Sequence, residues 1–408
     1  MNLTIDRLAH QGDGVAKDGD TEIFVAHTLP GEVVEADVVG NRGRLVDITR
    51  ASSLRVEPPC LHFARCGGCS LQHLSQDAYL AFKMDQVRAT FKARDLDIEP
   101  EPIIAVAQGT RRRATFVVVR NKGSTVIGFH EARSDRIIAL SSCVVLHPTL
   151  FQAVGTLKAL SEIAAPSRGS LRLTVTLTDN GLDIRLDDAD PSLDLKREQD
   201  LITLAIQAKI ARLSIADDVI MVGREPYVMF GEAKVTIPPG GFLQATRPSE
   251  DSMSTLVVSA LSGASHVADL FAGSGTFSLQ LAKNARVHAV EGDQTALSAL
   301  EKAARATPSL KPVTTERRDL FTRPLSTKEL SRFDAVLLDP PRAGARAQAQ
   351  ELGQSSVSRV VYVSCAPATA ARDLRQLVDC GFRLSSVTPV DQFLYSHHIE
   401  LVCVLNRG

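Results

Sequence analysis

The stretch DLFAGSGTFS, residues 269–278, decides how the C-terminal half of this 408-residue chain is read. An apolar strand end runs into two closely spaced glycines, Gly273 and Gly275, and then into a helix-compatible segment. That is the local pattern of a strand-to-helix turn able to hold a nucleotide-like ligand. Working outward, strands near 267–270, 286–290, 313–316, 335–338 and 360–364 alternate with amphipathic helices. From about residue 241 onward this alternation predicts an α/β fold, a doubly wound parallel sheet. The end departs from the rule, because LSSVTPV (384–390) and HIELVCVL (398–405) follow one another with no helix between them and read as an antiparallel hairpin.

The turn lacks the third glycine of a dinucleotide fingerprint, since Gly275 is followed by Thr276, Phe277 and Ser278. A ligand without a pyrophosphate does not need it. Glu291 stands where an acid would hold ribose hydroxyls, and Asp319 and Asp339 add polar groups after the third and fourth strands. A glycine turn serving only helix packing is the plain alternative.

The fifth strand ends in VVYVSCAP (360–367), which delivers the thiol of Cys365 to a strand end between the DPPR turn (339–342) and the segment HIE (398–400). A thiol with a carboxylate near it reads as a nucleophile with a base. Against this, an isolated cysteine is usually a small core residue, which is the reading for Cys380 and Cys403. Pro367 and the DPPR turn favour an open strand end for Cys365.

The remaining chain is organised differently. At 408 residues it exceeds one ordinary core and should divide into two or three domains. A hydrophobic content of 44%, a charged content of 23% and a net charge of −1 describe a soluble globular protein. No long apolar run or signal-like segment is present, so a cytoplasmic protein with no membrane association is expected. Residues 1–53 alternate apolar and polar positions between Gly-Asp, Asp-Gly and Pro-Gly turns and predict a small β-barrel. Residues 54–240 mix a helix over about 76–94 with several strands and form a central α+β domain, and residues 241–408 form the α/β domain. Between 111 and 136 lie Arg111, Arg112, Arg113, Arg120, Lys122, Arg133 and Arg136, against only Glu131 and Asp135. On the wet face of a sheet they could follow a phosphate backbone, or be no more than a solvated face.

Cys60, Cys66 and Cys69, with the distant Cys143, surround the Gly67-Gly68 pair. In a cytoplasmic chain such a group reads as a metal site and not as disulfides. Four thiolates suit structural zinc or an iron-sulfur cluster, and spacing alone leaves both open.

These motifs together resemble a known family. Residues 1–53 resemble a TRAM domain, a small RNA-binding barrel, through Gly-Asp-Gly-Val-Ala (12–16), Phe-Val (24–25) and Leu-Pro-Gly-Glu (29–32). A parallel sheet closed by a terminal hairpin resembles the class I S-adenosylmethionine methyltransferases. CLHFARCGGC (60–69), GGFLQAT (240–246), DLFAGSGTF, EGD (291–293), DPPRAG (339–344), VYVSCAP and DQFLYSHHIE (391–400) are similar to the RNA uracil-5-methyltransferases, which make 5-methyluridine. The resemblance spans nearly the full length. It implies S-adenosylmethionine contact at Gln244, Phe271, Thr276, Glu291, Asp319 and Asp339, a nucleophile at Cys365 and a general base at Glu400. It also implies a [4Fe-4S] cluster on Cys60, Cys66, Cys69 and Cys143, with zinc as the alternative. An N-terminal barrel together with four cysteines is similar to the members acting on 23S rRNA, with transfer RNA as the runner-up. No obligate protein partner is implied. The chain departs from the family at Thr246 and Thr276, where Asn is frequent, and at Leu394, which replaces a frequent Pro.

Two rivals belong to other classes. Amino-methylation of adenine also uses an acid-Pro-Pro turn, but an aromatic residue then follows where Arg342 stands, and Cys365 would have no role. A non-catalytic RNA-binding protein leaves the cofactor turn, nucleophile and base unexplained.

Overall fold

A computed structural model describes residues 1–121 and 124–407. Lys122 of the basic stretch lies outside the described residues. The first five strands, Asn2–Leu8, Gly14–Asp18, Thr21–Val25, Val33–Val39 and Arg42–Arg50, close into a barrel. Alternation drives this closure: Leu3, Ile5, Ala16, Ile23, Val25, Val34 and Ala36 face inward and form one apolar cluster. Gly19 and Gly40, at φ 57° and 61°, make the two tight turns that a side chain would strain.

The central sheet has seven strands, in the order Asp218–Val222, Arg212–Ile215, Gly181–Asp187, Ser170–Thr178, Arg113–Asn121, Ser124–His130 and Ile137–Ala139. One face is covered by the helices Val154–Ala164 and Leu195–Gln207, whose Leu157, Leu160 and Leu201 bury against Phe116, Leu173 and Ile184.

The C-terminal sheet has eight strands in the order Val313–Arg317, Arg286–Glu291, His266–Leu270, Ala335–Leu338, Arg359–Ser364, Glu400–Asn406, Arg383–Asp391 and Ile104–Ala105. The first five are parallel, and Glu400–Asn406 runs antiparallel to both of its neighbours. The doubly wound sheet and its terminal hairpin are therefore as read from the sequence. Ile104–Ala105 was not anticipated: this two-residue strand from the first third of the chain pairs with Val390 and Asp391 at the sheet edge. Helix Gln76–Lys92 likewise buries Val87 and Phe91 in the core of this sheet, beside Leu374 and Leu377. Both elements fasten the first third of the chain to this sheet, Ile104–Ala105 next to the strand Arg383–Asp391 that pairs with the strand of Glu400.

Two expectations are corrected. Cys380 is exposed, because it follows the last turn of helix Pro367–Asp379, whereas Cys403 is fully buried in the final strand. Arg112 is 5% exposed and forms a buried ion pair with Glu250 of helix Arg247–Ala260, so it ties the central sheet to the C-terminal unit and does not face solvent. Arg120, Arg133 and Arg136 remain exposed. Among the described residues no helix is long and apolar enough to cross a membrane.

Candidate active site

The Gly-rich turn leaves strand His266–Leu270 at Phe271, whose φ of 66° places a non-glycine residue in the left-handed region. Its amide and that of Ala272 donate to the Val290 carbonyl at 2.9 and 3.1 Å, which fixes the bend against the neighbouring strand. A Cβ at Gly275 would stand 2.8 Å from Leu300 Cγ, and Gly275 itself has φ 94°, so this position requires glycine. Glu291 closes the turn from the next strand. One carboxylate oxygen accepts the Gly273 amide at 2.9 Å, and the other accepts Gly292 and Asp293 at 2.7 and 2.9 Å.

Two acids line the floor beneath it, Asp269 buried and Asp339 half-buried. Asp269 is fully buried, accepts Ser278 Oγ at 2.5 Å through Oδ2, and leaves Oδ1 without a partner. Burial pushes its carboxyl up to about 7, with Glu291 adding repulsion. Asp339, at the end of strand Ala335–Leu338, is also pushed up to about 7, by burial first and then by Asp269 and Glu291. A row of acids with an unpartnered buried oxygen suits a ligand that brings positive charge or donors. Phe271 packs 5.4 Å from Phe321 between ring centroids, and the exposed Asp319 accepts the Phe321 amide at 2.9 Å. The two rings and Asp319 form the outer rim, while Thr276 is half-buried within the turn.

Asp339 also borders a second group of side chains. Strand Arg359–Ser364 ends at Cys365 because Pro367 starts a helix there and Ser364 Oγ caps the Ala366 amide at 3.1 Å. Burial raises the Cys365 thiol, Glu400 and Asp339 add to the rise, and the Arg342 guanidinium opposes it. Glu400, the first residue of the last strand, is 3% exposed and is pushed up to about 8 by burial and then by Asp339. Gln392 donates to Glu400 at 2.5 Å and to Gln244 Oε1 at 2.9 Å, and accepts the Ala245 amide at 3.0 Å. Cys365, Asp339, Arg342 and Glu400 are thus gathered at adjoining strand ends next to the glycine turn, with Gln244 joined to them through Gln392. A thiol, a high-pKa carboxyl and a guanidinium in one partly water-excluded place can add to an electrophilic ring and move a proton from it.

The segment 391–400 that carries Glu400 is held from below by residues the sequence reading left unassigned. Lys83 and Tyr79, from helix Gln76–Lys92, both donate to the fully buried Asp391, the tyrosine at 2.6 Å. Lys83 Nζ also donates to the carbonyls of Phe393 at 3.3 Å and His398 at 2.7 Å. Tyr395, with φ 62°, receives the amides of Ser70 and Leu71 on its carbonyl at 2.9 and 3.0 Å. That pair of bonds attaches the segment to the chain immediately after Cys69. The decapeptide 391–400 stood out in the sequence, but nothing in it pointed to Lys83 or Tyr79 as partners.

The four cysteines form a separate group. Burial raises the thiols of Cys66, Cys69 and Cys143, Cys69 to about 12, and the neighbouring thiols, Cys60 included, raise them further. Burial lowers the half-buried Arg111 guanidinium, and the neighbouring Cys69 and Cys143 act in the opposite sense. Among the described residues no three His, Cys, Asp or Glu side chains are set to hold a metal ion.

Comparison with known proteins agrees with this layout. Residues 235–408 match the family model of tRNA (uracil-5-)-methyltransferases. The chain is 44% identical to an RNA methyltransferase of Mesorhizobium japonicum over 99% of its own length and 98% of that protein. It is 32% identical to the 23S rRNA (uracil(1939)-C(5))-methyltransferase of Vibrio vulnificus, over 100% of this chain and 96% of the other. In fold it is similar to the Pyrococcus abyssi tRNA (uracil-54, C5)-methyltransferase, solved with S-adenosyl-L-homocysteine, at a TM-score of 0.78 and 24% identity, covering 99% and 100% of the two chains.

Proposed function

The chain belongs to the RNA uracil-5-methyltransferase family, and from that premise we propose that it methylates carbon 5 of a uridine in 23S rRNA, through a covalent bond between Cys365 and the ring. The convergence of Cys365, Arg342, Asp339 and Glu400 beside the glycine turn carries this reading. The resemblance to the Vibrio vulnificus enzyme over nearly its whole length supports the ribosomal substrate. Transfer RNA is the second reading, supported by the family model over residues 235–408.

S-adenosylmethionine supplies the methyl group on a sulfonium. Asp269, with its unpartnered oxygen, and Asp339 and Glu291 offer acids to that cation and its hydroxyls, while Phe271, Thr276, Asp319 and Gln244 would border it. Cys365 Sγ, as thiolate, bonds to carbon 6 of uracil, and the ring's π pair shifts to make carbon 5 nucleophilic. Carbon 5 takes the methyl group, and the sulfonium becomes a neutral thioether. The Glu400 carboxylate then removes the carbon 5 proton, the ring double bond re-forms and the thiolate leaves. A raised pKa suits Glu400 to this step, since a carboxylate near the working pH is a stronger base than an ordinary one. Uridine must leave its stack to reach a thiol at this depth.

Cys60, Cys66, Cys69 and Cys143 would hold a [4Fe-4S] cluster, with zinc as the alternative. A single zinc draws all its thiolates to ~2.3 Å of one centre, whereas a four-iron cluster takes one thiolate per iron and needs a wider set. The half-buried Arg111 beside Cys69 and Cys143 would offset part of the negative charge of either. We assign residues 1–53, 54–240 and 241–408 to the barrel, central and methyltransferase parts of a cytoplasmic enzyme. Arg120 and Arg136 are exposed to RNA phosphates, whereas the exposed Arg133 is paired with Asp13 at 2.6 Å.

The test pairs two variants. Cys365→Ala should abolish transfer while retaining cofactor binding, and Glu400→Gln should accumulate a protein-RNA adduct stable to denaturing gels. Turnover by Cys365→Ala above a no-enzyme control removes the nucleophile assignment. Normal turnover by Glu400→Gln with no adduct assigns the base elsewhere.

A further inference from the structure

We infer that His398 is a positioning residue: its imidazole accepts a hydrogen bond from Arg342 and thereby holds the guanidinium against the thiol of Cys365. The inference rests on the reading of Cys365 as nucleophile. Arg342 Nη2 lies 3.2 Å from His398 Nε2. A guanidinium has donors and no acceptor, so the imidazole nitrogen must be the acceptor and the ring proton sits on Nδ1. Burial, His397, Arg342, Lys83 and His10 hold the His398 imidazole down to about 4, which keeps that lone pair free at neutral pH.

His398 is anchored through its backbone as well as its ring. Its carbonyl accepts the buried Lys83 at 2.7 Å, its amide donates to Ser396 Oγ at 3.3 Å, and its ring packs 4.0 Å from His397 and 5.9 Å from Phe393 between centroids. Arg342, by contrast, is exposed. A long exposed side chain loses its rotamer freedom only if something fixes it. Its backbone is fixed, since the Arg342 carbonyl accepts Thr369 Oγ1 at 3.0 Å. The guanidinium is the group that favours the Cys365 thiolate, while burial, Glu400 and Asp339 all disfavour it. If Arg342 swings into water, the thiol keeps every raising influence and loses the opposing one. His398 therefore acts on the reaction through Arg342, without itself touching the ring.

The test is the pH profile of Cys365 alkylation by iodoacetamide in the full-length protein, followed on its own peptide by mass spectrometry between pH 6 and 10. Cys380, exposed and outside the site, serves as internal reference, and the fully buried Cys403 reports any unfolding. In His398→Ala the Cys365 profile should move up by about one pH unit, so that alkylation near neutrality slows about tenfold while Cys380 is unchanged. His398→Gln, whose Oε1 reaches the place of Nε2 as an acceptor, should restore the wild-type profile. If Cys403 becomes reactive in the alanine variant, His398→Phe keeps a ring of similar shape without an acceptor and should show the same slowing. Profiles of the Ala or Phe variant superimposable on wild type overturn the inference. So does a glutamine variant as slow as alanine, which would assign His398 a packing role only. Alkylation reports the thiol whether or not uracil ever adds to it, so turnover by Cys365→Ala would refute the nucleophile reading and leave this coupling standing.

Discussion

Binding of S-adenosylmethionine should release protons, and more of them than binding of S-adenosylhomocysteine. Burial, with repulsion from Glu291 and, for Asp339, also from Asp269, pushes Asp269 and Asp339 up to about 7, so near neutrality each is about half protonated. A sulfonium brought beside them favours the ionised form and expels the remaining protons. The sign follows directly: below pH 7 the acids hold their protons, binding must displace them, and affinity falls as pH falls. For one acid driven to full ionisation, affinity should rise about tenfold between pH 6 and 8, and for two acids about a hundredfold. At pH 7 the two together should release about one proton. Isothermal titration calorimetry in phosphate and in Tris, buffers of very different ionisation enthalpy, measures that number. S-adenosylhomocysteine carries the same amino acid and nucleoside without the sulfonium charge, so the difference between the two ligands isolates the response of the acids to that charge. Asp339→Asn should halve the difference. Equal proton release for both ligands at pH 7 would refute the placement of the sulfonium beside these carboxyls.

Three further outcomes are expected. Lys83→Met strands the fully buried Asp391 and should lower stability by about 3–5 kcal/mol, read as a lower denaturant midpoint, with partial recovery in Lys83→Met/Asp391→Leu; an unchanged midpoint contradicts the buried pair. Protein purified without oxygen should be brown with about four irons, and Cys66→Ser or Cys143→Ser should lose the colour; stoichiometric zinc without iron assigns the four thiols to zinc. Arg44→Ala and Arg50→Ala, exposed on the last barrel strand, should each reduce the log-log salt dependence of affinity for a ribosomal RNA fragment by about 0.7 if the contacted strand is single. Substitution is preferable to deleting the barrel, because Leu29 is buried with Leu71, Leu74 and Tyr79. Identical slopes would mean that this strand does not touch RNA.

Local features were legible in the chain itself. The five parallel strands follow from apolar runs punctuated by glycine and proline, and the barrel from strict alternation. The glycine turn, the thiol at a strand end and the terminal HIE are each written within ten residues, because a turn or a strand end is set by its neighbours. What joins them was not legible. Gln392 bridges Gln244 and Glu400, Lys83 and Tyr79 meet Asp391, Arg112 leaves the surface for Glu250, and His398 meets Arg342. A polar residue shows no periodicity that names its partner, and these pairs are chosen by how separate layers pack. The sequence by itself determined which chemical groups this protein possesses and the elements that carry them. Tertiary structure decided which acids share one buried space, and so which of them hold their protons at neutral pH, because desolvation and mutual repulsion exist only once the strand ends are brought together.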